Sequence, residues 1–280
     1  MQRLRVRYGK RGRLRFSSHR DFQRALERAV RRAEVPVAYS AGFSPHPRIS
    51  YANAAPTGAA SEAEYLEIAT TRHCDPETLR RALDEALPPG LDVLEVVPVR
   101  SGALAERLEA SVWRIELFDV PDAEARAALT AFLAADEVRV SRLTKQGVRT
   151  FDARAAVHSA RVLGAAGDHG SEPRGTVDPP AASAEPTGDA PRVLDGPESR
   201  NGVTEGRTSC TARCCAILEV VVRHFTPAVR PDDVLAALRV VAQLAPPSPV
   251  RVTRLAQGLL DPAGGTVADP LAADKDAGGA

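Results

Sequence analysis

His19 and His46 are the residues of this sequence with the type and setting for acid–base chemistry. Imidazole titrates near neutrality, so two such rings at one phosphate could act as general base and general acid on a ribose hydroxyl and its leaving oxygen. Arg13, Arg15, Arg20, Arg24 and Arg48 flank them in the chain and would neutralise phosphate charge. Phe43 lies in the loop before His46, where a ring could stack on an unpaired base. Tyr39 and Tyr51 lie nearby, although their alternation suits a strand core equally well. A metal-independent endoribonuclease using His19 and His46 is one expectation. The structural account has His19 and Asp21 capping the helix that Ser18 opens, while His46 braces a loop shaped by Gly42, Pro45 and Pro47. Any ligand-binding reading needs the arginines of the first strand and first helix to meet the Pro-His-Pro turn in one cationic hollow.

Cys210, Cys214 and Cys215 do not meet the Cys-x3-Cys-x2-Cys spacing of a radical SAM cluster, because Ile217 stands at the third ligand's place. No metal and no cofactor is expected. His73, Cys74, His158, His169 and His224 stand isolated, and no glycine-rich phosphate loop, Gly-x-Ser-x-Gly or His-Glu-x-x-His is present.

The elements that must position these residues follow from hydrophobic period. Leu4, Val6 and Tyr8 alternate with Arg3, Arg5 and Arg7, and Leu14 and Phe16 with Arg13 and Arg15, which predicts strand with a row of guanidinium groups on its open face. Ser18 and Asp21 form a variant capping box. Phe22, Leu26, Ala29, Val30 and Ala33 then recur at helical spacing over about 19–33. Short strands are expected at 37–39, 48–53 and 64–70, a helix after Asp75-Pro76, and a strand over 91–97. A similar order follows: strand 112–118, helix from Asp122, strands near 138–143 and 148–157, strand 216–222, helix from Pro231, strand 250–255.

These periods predict an α+β fold of two ferredoxin-like β-α-β-β-α-β units with antiparallel sheets. Their expected bounds are 1–107 for a basic N-terminal unit and 108–260 for a C-terminal one, with a disordered insertion at 165–212 and a mobile tail at 261–280. The insertion and tail are rich in Gly, Pro, Ala, Ser and Asp and hold few large apolar side chains.

The formal net charge is +1, yet residues 1–50 hold 13 Lys or Arg against three acids, a local excess of +10. Such segregation points to a polyanion, nucleic acid first. General arginine richness is the competing account, since the chain has only three lysines. With no apolar run long enough to span a bilayer and no secretory leader, the expected setting is the cytoplasm, with no membrane partner.

The stretches Gly12-Arg13-Leu14-Arg15-Phe16-Ser17-Ser18-His19-Arg20-Asp21, Tyr39-Ser40-Ala41-Gly42-Phe43-Ser44-Pro45-His46-Pro47-Arg48-Ile49-Ser50 and Ser61-Glu62-Ala63-Glu64-Tyr65 closely resemble the radical-SAM-linked protein family, a domain of unknown function. The resemblance spans roughly residues 1–163 and 213–258 and suits the free-standing form. Ser18 and Arg20 make the first loop more polar than that family's pattern. The resemblance implies a working relationship with a separate radical SAM protein, with RNA as one expected substrate. Three functions follow as expectations: an RNA- or tRNA-binding accessory module for RNA modification or processing, a protein adaptor for a radical SAM enzyme, and the endoribonuclease described above.

Overall fold

The alternation at the N-terminus builds β1 (Gln2–Lys10), with Leu4, Val6 and Tyr8 buried on one face. The computed structural model describes residues 1–100, 102–144, 147–164 and 215–275. The insertion expected at 165–212, including Cys210, lies outside the described residues, as does Cys214. α1 (His19–Arg32) starts where expected: the Ser18 side chain accepts from the Asp21 N–H at 3.2 Å, and the Asp21 carboxylate accepts from the Ser18 hydroxyl at 2.7 Å. β2 (Ile49–Ala52), β3 (Ala60–Thr70), α2 (Pro76–Ala86) and β4 (Leu91–Pro98) complete the first half. Their strand order is β4-β1-β3-β2, with every pairing antiparallel.

Residues 13–16, expected to continue as strand, form a 3-10 turn over Gly12–Phe16 instead. Gly12 adopts φ +54, and the Arg11 N–H donates to Gly90 O, so pairing stops and the chain turns back. Four alternating residues fit either conformation, and Gly12 decides between them.

The second half contains β5 (Ala110–Phe118), α3 (Asp122–Ala134), β6 (Arg139–Thr144), β7 (Gly147–Asp152), β8 (Val157–Leu163), β9 (Cys215–Arg223), α4 (Pro231–Ala242) and β10 (Arg251–Gly258). The strands expected near 138–143 and 148–157 pair only with each other, as a separate two-stranded ribbon. Their residues are mostly exposed, so they lack the apolar face that a sheet interior requires. The place beside β9 goes to β8, which sequence reading missed. Asp152 separates the two segments: its carboxylate accepts from the N–H groups of Val138, Arg154 and Ala155, making a turn in what had looked like one continuous run.

The fold is mixed α+β with a sheet-rich core. Strands of both halves run on in one eight-stranded sheet, β4-β1-β3-β10-β5-β9-β8, with β2 also on β3. The junction is parallel and short, pairing Thr253 with Ala60 and Arg254 with Ser61. β2 takes the same edge of β3 further along, from residue 65 to 68. Phe22 and Leu26 of α1 and Leu79 and Leu83 of α2 pack on Leu4, Val6 and Leu66. Phe132 of α3 and Leu238 of α4 pack on Ile115, Leu218 and Val220. Among the described residues no helix is long and apolar enough to cross a membrane.

The reverse face of the first half corrects two expectations. Arg3, Arg5 and Arg7 do not form an open guanidinium row. Arg5 is wholly buried, its Nε 2.9 Å from a Glu67 oxygen and its other nitrogens on Asp274 and Gly102 O; Arg3 also pairs with Glu67, and Arg7 donates to Glu62 O. The segment from 261, expected to be a mobile tail, packs over this face as far as Lys275. Leu271 joins Tyr65, Val97, Leu104 and Leu108 in a core cluster, and a short helix α5 (Ala272–Lys275) carries the buried Asp274. Gly258 lets this segment come close: a Cβ there would lie 1.8 Å from Ala268 O. Burial alone would raise the Asp274 carboxyl, but the Arg100 N–H and the guanidiniums of Arg5 and Arg107 together hold it below the ordinary carboxylate range.

Asp274→Ala leaves the Arg5 charge buried with half its compensation. We expect a loss of about 3–5 kcal/mol of unfolding free energy by urea titration at neutral pH. In the unmodified chain this contribution is complete above the ordinary aspartate pKa and fades as pH falls through the depressed one, so the variant's deficit should shrink on acidification.

Candidate functional site

His19 is the first residue of α1, exposed, with its ring edge-on to Tyr51 at 5.0 Å and its Nε2 3.2 Å from Gln23 Nε2. Tyr51 packs toward Phe22 on the helix-bearing side of the sheet. His46 lies in the loop before β2, its N–H donating to Ser40 Oγ at 3.0 Å. It lines a hollow of about 580 Å³ with Arg3, Arg48, Ser50 and Glu67. Ser50 and Glu67 lie on the other side of the sheet from Tyr51 and Leu66, while Ile49 and Ile68, which also line the hollow, share the side of Tyr51, so the hollow sits at the sheet edge. His19 contacts Tyr51 and Gln23, whereas His46 is held through Ser40.

The single cationic hollow is likewise corrected. Arg3 and Arg48 reach the His46 hollow, but Arg3 is bound to Glu67 and Arg48 donates to Met1 Sδ at 3.6 Å. Arg11 pairs with Glu62 and Asp92. Arg20, Arg24, Arg28 and Arg31 form a separate stripe along the solvent side of α1, all exposed, and none makes an ion pair among the described residues. Arg13 and Arg15 continue that surface just before the helix, where the Arg15 guanidinium lies 4.4 Å from the Phe16 ring centroid. Gly42 takes φ +125 in a loop that leaves Phe43 fully exposed. A lone bridge from Tyr39 to Pro47 closes the segment around Pro45.

A second site, which sequence reading missed, lies where the halves meet. Arg254 of β10 is buried and reaches back to Glu64 of β3, to Asn53 O at 2.8 Å and to Ser61 Oγ at 3.3 Å, with its guanidinium 5.4 Å from the Trp113 ring centroid. Above this group opens a cleft of about 480 Å³ whose walls include Asn53, Ser111, Trp113, His224 and Arg230.

His224, isolated in the sequence, is held here by two bonds. Its Nδ1 lies 2.7 Å from Leu108 O, which can only accept, so Nδ1 carries the proton. Nε2 is then the acceptor for the Ser111 hydroxyl at 2.8 Å. The Asn53 carboxamide sits 3.1 Å from Nδ1, and a protonated Nδ1 requires its oxygen on that side. Burial pushes the His224 imidazolium below its ordinary pKa; the Leu108 carbonyl acts in the opposite direction, and Arg254 adds to the lowering. Burial similarly lowers the Lys10 ammonium beneath the same loop, with Glu64 opposing it.

No sequence motif announces this cleft, since Ser111 and His224 are 113 residues apart. A signal exists in the strands, where Glu64 and Arg254 are charged residues in sequences otherwise rich in apolar residues, and both are buried. Charges placed there need a partner from outside their own strand.

Residues 3–178 match a family described as uncharacterized proteins conserved in bacteria (DUF2344), and that description makes no link to radical SAM enzymes. No curated protein matches the chain.

His224 should remain neutral, with Nδ1 protonated, at pH 7. Imidazole NMR is expected to give it a midpoint below the ordinary 6.5, with protonation on acidification reversing the Ser111 bond so that Nε2–H donates to the hydroxyl oxygen. A midpoint at or above that value would mean that the ring is solvated and the cleft open to water.

Proposed function

We propose that the chain, which belongs to the DUF2344 family of uncharacterized bacterial proteins, is an RNA-binding accessory module that grips the phosphate backbone with the arginine stripe of α1. The observation that carries this is the contrast between its two sets of arginines. Arg3 and Arg5 of β1 are ion-paired with Glu67 and Asp274 and Arg7 donates to Glu62 O, whereas Arg20, Arg24, Arg28 and Arg31 are exposed and make no ion pair among the described residues. Like charges at i and i+4 cost a helix a few tenths of a kcal/mol per pair. A polyanion turns that cost into attraction. Arg13, Arg15 and Phe16 extend the surface from the helix start, offering two more cations and a half-exposed ring for stacking.

Each half is further read as a ferredoxin-like unit. Support comes from the β4-β1-β3-β2 order in the first half and from the matching β10-β5-β9-β8 order in the second, where the β6–β7 ribbon is an addition. A radical SAM enzyme as the partner served is carried by the sequence resemblance alone. The endoribonuclease alternative needs two imidazoles at one phosphate, and the separate contacts of His19, on Tyr51 and Gln23, and of His46, at Ser40, weigh against it.

Filter binding of a structured RNA should show retention that falls steeply with salt, with a log–log slope of about −3.5 if about five single-strand phosphates are neutralised. Charge reversal of Arg20, Arg24 and Arg28 to glutamate should abolish retention while leaving the urea midpoint nearly unchanged, since these side chains make no ion pairs among the described residues. Retention that is indifferent to salt or to the reversal would eliminate this face as the RNA site. Co-purification of a protein that survives nuclease would favour an adaptor instead.

A further inference from the structure

We infer that the cleft over Arg254 is a nucleotide pocket that takes one nucleoside monophosphate unit, with its base against the apolar and aromatic wall and its phosphate toward Arg230. This goes beyond the reading of the α1 face and stands on different residues. A volume of about 480 Å³ is the size of a small-molecule site, and its lining divides about evenly between apolar side chains and polar or charged ones that converge on it, Asn53, Ser111, His224 and Arg230 among them.

The wall selects the chemistry. Trp113 and Phe225 both line the cleft; the Arg254 guanidinium fixes the indole from behind, while Phe225 is half exposed and is left without a core role. A large ring held at the mouth of a cleft beside a tryptophan suits a flat heterocycle. Ser111 donates its one proton to His224 and keeps its lone pairs for a donor such as an exocyclic amine or a ribose hydroxyl. Asn53 can donate and accept at the same rim. His224 fixes the direction of the Ser111 hydroxyl and is a positioning residue.

The charge is selective too. No aspartate or glutamate lines the cleft, whereas Arg230 and Arg254 do, and Lys10 lies beneath the roofing loop with its ammonium 3.4 Å from the carbonyl oxygens of both Ala55 and Pro56. Glu64 faces both Arg254 and Lys10, and Asp233 lies in the field of Arg230 from behind the rim, so the charged groups that line the cleft itself are cations alone. Arg254 has its nitrogens committed to Glu64, Asn53 O, Ser61 and Gln257, so Arg230, exposed at the rim, is the cation available to a phosphate.

The cleft also has an exit suited to a chain of nucleotides. At Pro56, and at the neighbouring Arg230 and Pro231, it meets a second hollow of about 200 Å³ bordered by Phe16. The Gly58 N–H donates to Arg15 O at 2.8 Å, tying the turn that carries Arg15 and Phe16 to the same loop. A nucleotide in the cleft could thus be free or could be one residue of an RNA continuing toward α1.

Trp113 is the chain's only tryptophan, so its fluorescence reports on this cleft alone. Titrating the full chain with each of the common nucleoside monophosphates should give a saturable change in Trp113 emission for at least one. Arg230→Ala and Ser111→Ala should each weaken that response about tenfold, with the unliganded emission maximum retained as the check on folding. Inorganic phosphate alone should produce no change. The charge-reversed α1 variant should bind the mononucleotide as the unmodified chain does, which separates failure of this inference from failure of the RNA reading. An oligonucleotide that displaces the mononucleotide identifies an RNA residue as the source, and one that binds without displacing it identifies a free nucleotide. The inference is overturned if no monophosphate alters the emission at millimolar concentration, if inorganic phosphate reproduces the change, or if Arg230→Ala binds unchanged.

Discussion

The two halves of this protein are joined through a charge that has been taken out of water. The backbone ladder between β3 and β10 has just two residue pairs, too few to fix how one half continues into the other. Arg254 supplies the rest: its guanidinium reaches Glu64, Ser61, the Asn53 carbonyl and Gln257, while Gln257 donates to Ala63 O at 2.6 Å. Replacing a buried ion pair by apolar residues of similar size is often neutral for stability, so tight binding alone does not account for it. What the pair adds is direction. A guanidinium has five donors in a fixed plane, and satisfying them leaves one register of β10 against β3. The same register places Trp113 over the guanidinium and opens the cleft beside His224.

A comparable device closes the reverse face. Arg5 sits on the first strand and Asp274 near the last described residues, 269 positions apart, both wholly buried. Arg107 and the Arg100 N–H converge on the same carboxylate. A segment of small and acidic residues, with little apolar surface of its own, is thereby held over Tyr65 and Leu104 by Leu271 and one carboxylate. Composition predicts mobility for such a segment because it counts only what the segment could bury by itself. A cation waiting on β1 alters that balance.

This difference marks what was legible in the sequence. Elements fixed by neighbours in the chain were readable: β1 from its alternation, α1 from Ser18 and Asp21, α2 from Asp75-Pro76 and α4 from Pro231 all lie within a residue or two of expectation. Reading failed where the deciding contact was remote or where a short pattern fitted two conformations. The alternation at 13–16 was overruled by one positive φ at Gly12, and the run through 148–157 was cut by the Asp152 turn. The site suffered most. His19 and His46 are close in sequence yet have separate contacts in the fold; Ser111 and His224 are far apart in sequence and are brought together by β5 and β9.

The charge asymmetry of the first fifty residues therefore has two physical origins. On β1, and at Arg11 just after it, the arginines are structural, pairing with acidic residues from later in the chain, Glu67 and Asp274 for β1 and Glu62 and Asp92 for Arg11. On α1 they are left over once folding is complete. The boundary between these groups is the turn at Gly12–Phe16, which also touches the loop roofing the cleft. A ligand that gathered Arg13, Arg15 and the α1 stripe would press on that turn, and the turn hands its position to Gly58 and Pro56 at the cleft's edge. The turn that precedes α1 and the loop at the cleft's edge are thus joined by the Gly58–Arg15 backbone bond, a physical contact between the two surfaces.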